Sequence, residues 1–257
     1  MLLAIDAGNT NVVFAIYDGD RQRGIWRTAT DPKRTSDEYM VWLTHLMALK
    51  NLKPVDIHGA VIASVVPGAT FNLKRLCKDH FGCEPVIVGQ PGVDLGTRAL
   101  VDRPEEVGAD RLVNTVAAAA TYKTPLIVID FGTATTFDVV DADGNYRGGV
   151  IAPGLNLSLE ALQMAASKLP RVEIQPPAEV IGKNTVACMQ SGIFWGYVGL
   201  IEGLVSRIRA EYGEPMTVVG TGGLAVLFAK ATNVIEHTDS ELTLRGLLLI
   251  HKRNTSK

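Results

Sequence analysis

A chain of 257 residues has room for two medium-sized domains, each burying its own core, and its 47% hydrophobic and 20% charged residues exclude a disordered or fibrous protein. A formal net charge of -2 argues against a dedicated nucleic-acid surface and points to small-molecule or protein partners. Cys77, Cys83 and Cys188 form no CxxC pair and read as reduced thiols; the start lacks a signal peptide's basic and apolar regions, and no run reaches the roughly 18 apolar residues of a membrane span, so the expectation is a cytoplasmic protein without a membrane partner.

In chain order, three strand-like runs come first, at 2–7, 11–18 and 23–30, broken by Gly8-Asn9 and by Asp18-Gly19, which predicts a meander. Residues 36–50 carry Tyr39, Leu43, Leu46 and Met47 at helical spacing, with Ser36 or Asp37 as the expected N-cap. A β-rich run follows at 59–66, Pro67-Gly68 leads into a helix at about 69–81, and 85–89 reads as a buried strand. Gly, Pro and Asp crowd 89–104, which predicts a loop crossing the domain boundary, and Pro104 suits the first turn of a helix running to about Tyr122. Strands at 125–131, 134–141 and 146–152 come next, then a helix after Pro153-Gly154. Residues 185–211 predict a long helix with Ile193, Tyr197, Leu200, Ile201, Leu204 and Ile208 as its apolar stripe and Phe194 and Trp195 beside it as core or subunit-interface side chains. Residues 216–223 form a buried strand ending in a glycine turn before a helix, and the last helix covers about 239–252 ahead of a basic tail.

Sliding the chain by 124 positions lays Ile5, Asp6 and Gly8 over Ile129, Asp130 and Gly132, and Arg23-Gly24 over Arg147-Gly148, without a gap. This predicts an α/β protein built from two copies of one βββαβα module, with domains at 1–115 and 116–257 and a cleft between them that carries the two Asp-x-Gly turns on opposite walls. Chance similarity between two strand-turn-strand units is the alternative wherever the matched residues carry no chemistry.

The matched residues do carry chemistry. In Asp6-Ala7-Gly8-Asn9-Thr10-Asn11 the glycine allows a tight hairpin whose amides and side chains can converge on an anion. An acid facing phosphate makes sense with a cation between them, since Mg²⁺ is held by one or two carboxylates, phosphate oxygens and water; Asp6 is therefore a candidate Mg²⁺ or metal-water ligand. Taken alone, the same residues equally describe a hairpin with an Asx-type turn. Asp130-Phe131-Gly132-Thr133-Ala134-Thr135-Thr136 repeats the arrangement with hydroxyls, and with Gly220-Thr221-Gly222-Gly223 it makes a nucleotide site, in which a glycine turn can admit adenine or ribose. The P-loop signature and a strand-linked GxGxxG are both absent, which disfavours those enzyme classes. In Gly108-Ala109-Asp110-Arg111, acid and base are adjacent on a helix and point about 100° apart. Asp110 could then accept the proton of a substrate hydroxyl attacking the γ-phosphate and Arg111 could neutralise charge, unless the two form a solvent-exposed helix pair.

The set DAGNTN at 6–11, GADR at 108–111, DFGTATT at 130–136 and GTGG at 220–223 resembles the type III pantothenate kinases, members of the acetate and sugar kinase, heat-shock ATPase and actin superfamily. The resemblance spans nearly the whole chain. It implies two actin-like, ribonuclease H-like domains and transfer of the ATP γ-phosphate to the primary hydroxyl of pantothenate. It further implies Asp110 as base, Gly108, Ala109, Asp110 and Arg111 lining the pantothenate site, and Thr185 touching substrate. Asp6, Ala7, Gly8, Asn9, Thr10, Asn11, Val12, Val13 and Thr133 would contact ATP. Asp130 would hold a monovalent cation, K⁺ or NH₄⁺, and the protein would be a homodimer. Many members carry a Tyr in the substrate site where this chain has Val101, and an Asn where it has Arg103. Two other functions share these turns: a sugar or acetate kinase of the same superfamily, and a nucleotide-dependent regulatory protein.

Overall fold

A computed structural model describes residues 1–165, 170 and 172–255. The chain divides into two compact units, one formed by Met1–Thr121 together with the segment beginning at Glu241, the other by Tyr122–Ser240. Among the described residues no helix is long and apolar enough to cross a membrane.

The first unit is a five-stranded sheet with helices on both faces. Strands β1 (Leu2–Ala7), β2 (Asn11–Asp18) and β3 (Arg21–Ala29) form the expected meander, and β4 (Gly59–Ser64) and β5 (Val86–Ile87) complete the order β3-β2-β1-β4-β5. Side chains alternate across a strand, so Leu3, Ile5 and Ala7 face one core while Ala4 packs into another. The first core is closed by α1 (Ser36–Ala48) and α2 (Pro67–Arg75), through Tyr39, Leu43 and Met47 and through Ala69 and Leu73. Phe14 meets Tyr39 and Trp42 there at centroid distances of 5.6 and 5.5 Å, pairs worth about 0.5–1.5 kcal/mol each beyond their buried area.

Helix α1 begins one residue earlier than its sequence suggests. Its cap is Thr35, not Ser36 or Asp37: the Thr35 N–H donates to Glu38 Oε2 at 2.7 Å and the Glu38 N–H donates to Thr35 Oγ1 at 3.3 Å. This reciprocal box satisfies two otherwise unpaired donors, and T-x-x-E at 35–38 is its signal. Ser36 is buried inside the first turn instead.

The second core of this unit is covered by α3 (Ala109–Thr121) and by the last helix, α7 (Leu242–Thr255). Ala4, Ala15, Val61 and Ala63 of the sheet meet Val113 of α3 and Leu244, Leu247, Leu248 and Ile250 of α7, and the Thr243 hydroxyl donates to Asn114 Oδ1 at 2.8 Å. Helix α7, grouped by its position in the sequence with residues 116–257, thus packs on the first sheet. The small alanine-lined face accepts its leucines. Helix α3 also starts later than expected. Pro104–Glu106 forms one 3-10 turn, and Val107 then leaves helical geometry at φ -72°, ψ 124°, so the chain bends before α3 begins.

The second unit repeats the first. Strands β6 (Leu126–Phe131), β7 (Ala134–Val140), β8 (Tyr146–Pro153), β9 (Thr217–Gly222) and β10 (His237–Thr238) take the order β10-β9-β6-β7-β8, the same path as the first sheet. Between β8 and β9 lie α4 (Leu155–Ala165) and the long α5 (Thr185–Tyr212), and α6 (Ala225–Ala229) precedes β10. The α/β class and the duplicated actin-like topology therefore stand. On α5 the buried line is Phe194, Tyr197, Val198, Ile201 and Val205, while Ile193, Leu200, Leu204 and Ile208 are only partly buried. The aromatic core selects this face: Phe228 of α6 packs on Phe131, Phe194 and Tyr197 at 5.4, 5.6 and 5.2 Å, drawing the helix round towards its aromatic residues.

Candidate active site

In the first unit the site residues gather at the carboxyl ends of β1 and β4. Asp6 lies on β1 beside Val13 of β2 and Ala63 of β4, on the face opposite Ile5 and Ala7. Burial of Ile5 and Ala7 in the first core leaves Asp6 on the side that α3 covers. The chain then turns through Gly8, Asn9 and Thr10, and the Gly8 N–H donates to Asn11 O at 3.0 Å. Asn9, Thr10 and Asn11 are exposed, but the side chains of Ala7 and Val12 are core, so any ligand meets those two through their backbone.

Asp110 stands in the first turn of α3 at the same sheet end. The Val65 N–H, just past β4, donates to Ala7 O at 3.1 Å, and Val65 in turn packs against Gly108. A Cβ added to Gly108 would lie 2.6 Å from Asp110 Oδ1 and 3.5 Å from Val65 Cγ1. Glycine is therefore the residue that lets the Asp110 carboxylate fold back over the strand ends. The Arg111 N–H donates to Asp110 Oδ1 at 2.8 Å. Burial pushes the Asp110 pKa above the usual carboxylate range, and the Arg111 backbone and charge only partly oppose it. A half-buried carboxylate with a raised pKa, at the end of the sheet beside a polar turn, is suited to accept a proton from a ligand. Arg111 is half-buried, not a surface partner of Asp110.

Val101 is half-buried in the segment ahead of the 3-10 turn. Arg103, where the resembling family often has Asn, pairs with Glu106 at 2.7 Å inside that turn.

The second unit repeats the arrangement within its own sheet. Asp130 lies on β6 beside Thr136 of β7 and Thr221 of β9, the counterpart of Asp6 by its place on the first strand of the module, with the hairpin register one residue shorter. Phe131, the next residue, is anchored in the aromatic core, so alternation places Asp130 on the other face of the sheet. The Gly132 N–H donates to Ala134 O at 3.1 Å, leaving Thr133 exposed at the turn. Thr135 points into the core, where its hydroxyl pairs with Tyr197 OH, and Tyr197 donates to Pro153 O at 3.3 Å. Thr185, also in this unit, is the exposed first residue of α5; the preceding Asn184 caps the helix by accepting the Ala187 N–H at 2.9 Å.

The glycine turn after β9 joins this arrangement in a way that its sequence hides. Gly222 has φ +84°, and a Cβ there would lie 2.7 Å from both Asp130 Oδ1 and Phe131 O. The turn is a wall of the Asp130 site. Gly220 packs within the strand against Ile235, while a Cβ on Gly223 would meet nothing within 4 Å, leaving room for a ligand. The Asp130 carboxylate and the Phe131 carbonyl both lie close against the Cβ-free face of Gly222, and a carboxylate and a carbonyl are the oxygen donors that a cation such as K⁺ takes. Among the described residues no three His, Cys, Asp or Glu side chains cluster to hold a metal ion, so a Mg²⁺ at Asp6 would draw its remaining ligands from phosphate and water. Gly222→Ala is expected to lower the thermal midpoint by about 2–10 °C, because a non-glycine residue at positive φ stores about 1–3 kcal/mol of strain. Melting curves of wild type and variant measure this, and an unchanged midpoint would refute it.

Residues 2–207 match the sequence profile of the family described as type III pantothenate kinase. The chain is 68% identical to the type III pantothenate kinase of Paramagnetospirillum magneticum, covering 100% of this chain and 98% of that one. It is 64% identical to the type III pantothenate kinase of Rhodospirillum rubrum, covering 99% of each. Among solved structures, it is similar in fold to component A of the (R)-2-hydroxyglutaryl-CoA dehydratase of Acidaminococcus fermentans, with a TM-score of 0.57 at 14% identity over 100% of this chain and 99% of that one. The ethanolamine utilization protein EutJ of Carboxydothermus hydrogenoformans gives a TM-score of 0.58 at 15% identity, over 96% of this chain and 89% of that one.

Proposed function

The chain belongs to the type III pantothenate kinase family, and from that premise we propose that it transfers the γ-phosphate of ATP to the primary hydroxyl of pantothenate, giving 4'-phosphopantothenate and ADP, the first step of coenzyme A biosynthesis. One observation carries the chemistry: the half-buried, pKa-raised Asp110 carboxylate at the sheet end that also bears the Asp6 turn.

Asp110 accepts the hydroxyl proton as the pantothenate oxygen attacks the γ-phosphorus in line; the new O–P bond forms while the bond to the β–γ bridging oxygen breaks and ADP leaves. Gly108, Ala109 and Arg111 hold pantothenate beside that carboxylate, with the Arg111 guanidinium offsetting negative charge, and Thr185 supplies a hydroxyl to the substrate. Val101 stands where many members of the family carry a Tyr, so this chain offers no phenol to the substrate at that position. The Asp6 to Val13 turn and Thr133 bind the ATP phosphates through backbone amides and hydroxyls. With Mg²⁺ bound at Asp6, negative charge on the phosphates is neutralised. A K⁺ or NH₄⁺ held by Asp130 would supply positive charge beside the Thr133 turn.

The enzyme works as a homodimer in the cytoplasm. Exposed apolar side chains at Ile151, Leu157 and Trp195 support a subunit contact, and the three free cysteines suit a reducing compartment.

Purified protein with ATP, Mg²⁺, K⁺ and pantothenate is expected to yield ADP and 4'-phosphopantothenate in equal amounts; product formation on glucose or acetate instead would sink the proposal. The pH profile supplies a second test. Asp110 must be ionised to act, and its raised pKa moves the acidic limb of kcat/KM above the ordinary aspartate value of about 3.9. Activity is full above the native pKa and falls tenfold per unit well below it. A limb at or under the ordinary value contradicts this assignment.

A further inference from the structure

Both phosphate turns are closed by the residue that follows the third strand of their own module. In the first module that residue is Thr30, immediately after β3. Its N–H donates to Thr10 O at 2.9 Å, and its hydroxyl donates to Gly8 O at 2.6 Å. The turn from Gly8 to Thr10 is thus tied at both ends to one side chain and its own backbone. In the second module, 124 residues on, the same position is Gly154, whose N–H donates to Thr133 O at 3.1 Å. No side chain is accommodated there: a Cβ would lie 2.7 Å from Gly132 O and closer still to Thr133 O.

These bonds have a directional consequence. In a trans peptide the carbonyl and the following N–H point to opposite sides. Drawing Gly8 O and Thr10 O towards Thr30 turns the N–H groups of Asn9 and Asn11 away from it; drawing Thr133 O towards Gly154 does the same for the N–H of Ala134. A loop whose carbonyls are occupied on one side presents amides on the other, the polarity that an anion requires.

We infer that Thr30 is a positioning residue for ATP binding, orienting the peptide planes of the Asp6 to Asn11 turn, and that Gly154 is its counterpart for the Thr133 turn. The inference rests on the proposed function, in which these turns hold the triphosphate. Thr30 does not touch the reacting atoms. Its hydroxyl has a task distinct from packing, because a valine of the same shape keeps the backbone bond and loses only the bond to Gly8 O.

The test is steady-state kinetics of Thr30→Val and Thr30→Ser beside wild type, with thermal melts of all three. Thr30→Val is expected to raise the KM for ATP about threefold to tenfold, the effect of one lost hydrogen bond, while the KM for pantothenate stays near the wild-type value. Thr30→Ser retains the hydroxyl and is expected to return the KM for ATP close to wild type, even where loss of the methyl lowers the melting midpoint. An unchanged KM for ATP in Thr30→Val, an equal rise in both KM values, or no recovery in Thr30→Ser overturns the inference. Absence of phosphopantothenate with wild-type protein overturns the functional proposal instead, so the two failures are told apart by the wild-type control.

Discussion

Asp110→Asn is expected to lower kcat by about 10²- to 10⁴-fold, the usual contribution of a general base, while leaving the KM for ATP nearly unchanged. The same substitution is expected to stabilise the fold at neutral pH. Burial is the largest influence on Asp110 and disfavours its ionised form, so its native pKa lies above the unfolded value of about 3.9. Below that value both states are protonated and the side chain has no linkage effect. As pH rises through the native pKa the folded state must carry a buried charge, and stability is lost across that window. Asn is neutral at every pH and can still accept the Arg111 N–H, so the variant lacks this loss. Thermal melts of both proteins at pH 4 and at pH 7.5 should show the variant gaining on wild type at the higher pH. A variant that kept full turnover would remove Asp110 as the base, and one that melted lower at neutral pH would show that the charged form is better compensated than its burial implies.

With Asp130 as the proposed cation ligand, Asp130→Asn is expected to remove any difference in rate between K⁺ and Na⁺ and to lower kcat/KM by about 10- to 100-fold, the cost usually seen when a group that tunes a bound ion is lost. The carboxylate brings a formal negative charge to the place where it and the Phe131 carbonyl lie against Gly222. Replacing one oxygen by an amide nitrogen removes that charge and halves the side chain's oxygen donors, leaving the side chain's shape intact. The strand itself should hold, because Phe131 stays anchored on Phe228 at 5.4 Å. Coupled assays in K⁺, NH₄⁺ and Na⁺ measure the effect. An Asn variant that still distinguishes K⁺ from Na⁺ would place the cation elsewhere.

Some of the molecule was legible residue by residue. The three strands of each module could be placed because Gly8-Asn9, Asp18-Gly19 and their counterparts break apolar runs of strand length, and β1 and β2 occupy the predicted ranges. The start of α1 was missed although its signal was present, since Thr35 and Glu38 carry the spacing of a capping box. The start of α3 was missed for a different reason. Pro104 opens a single 3-10 turn, and the bend at Val107 and Gly108 is needed to bring Asp110 back over the strand ends, a requirement that no local propensity expresses.

On its own, the sequence determined the duplication, the two Asp-x-Gly turns, the identity of the candidate general base and the family, because each is written in short contiguous motifs and in their repetition. Only the tertiary structure decided which sheet receives α7, which line of α5 is buried, and that Gly222 packs against Asp130 while Thr30 and Gly154 bond to the two Asp-x-Gly turns. The reason is physical: these partners are brought together by strand pairing and by side-chain packing across many intervening residues. Such pairings depend on the summed fit of two surfaces, which the pattern along either segment does not contain.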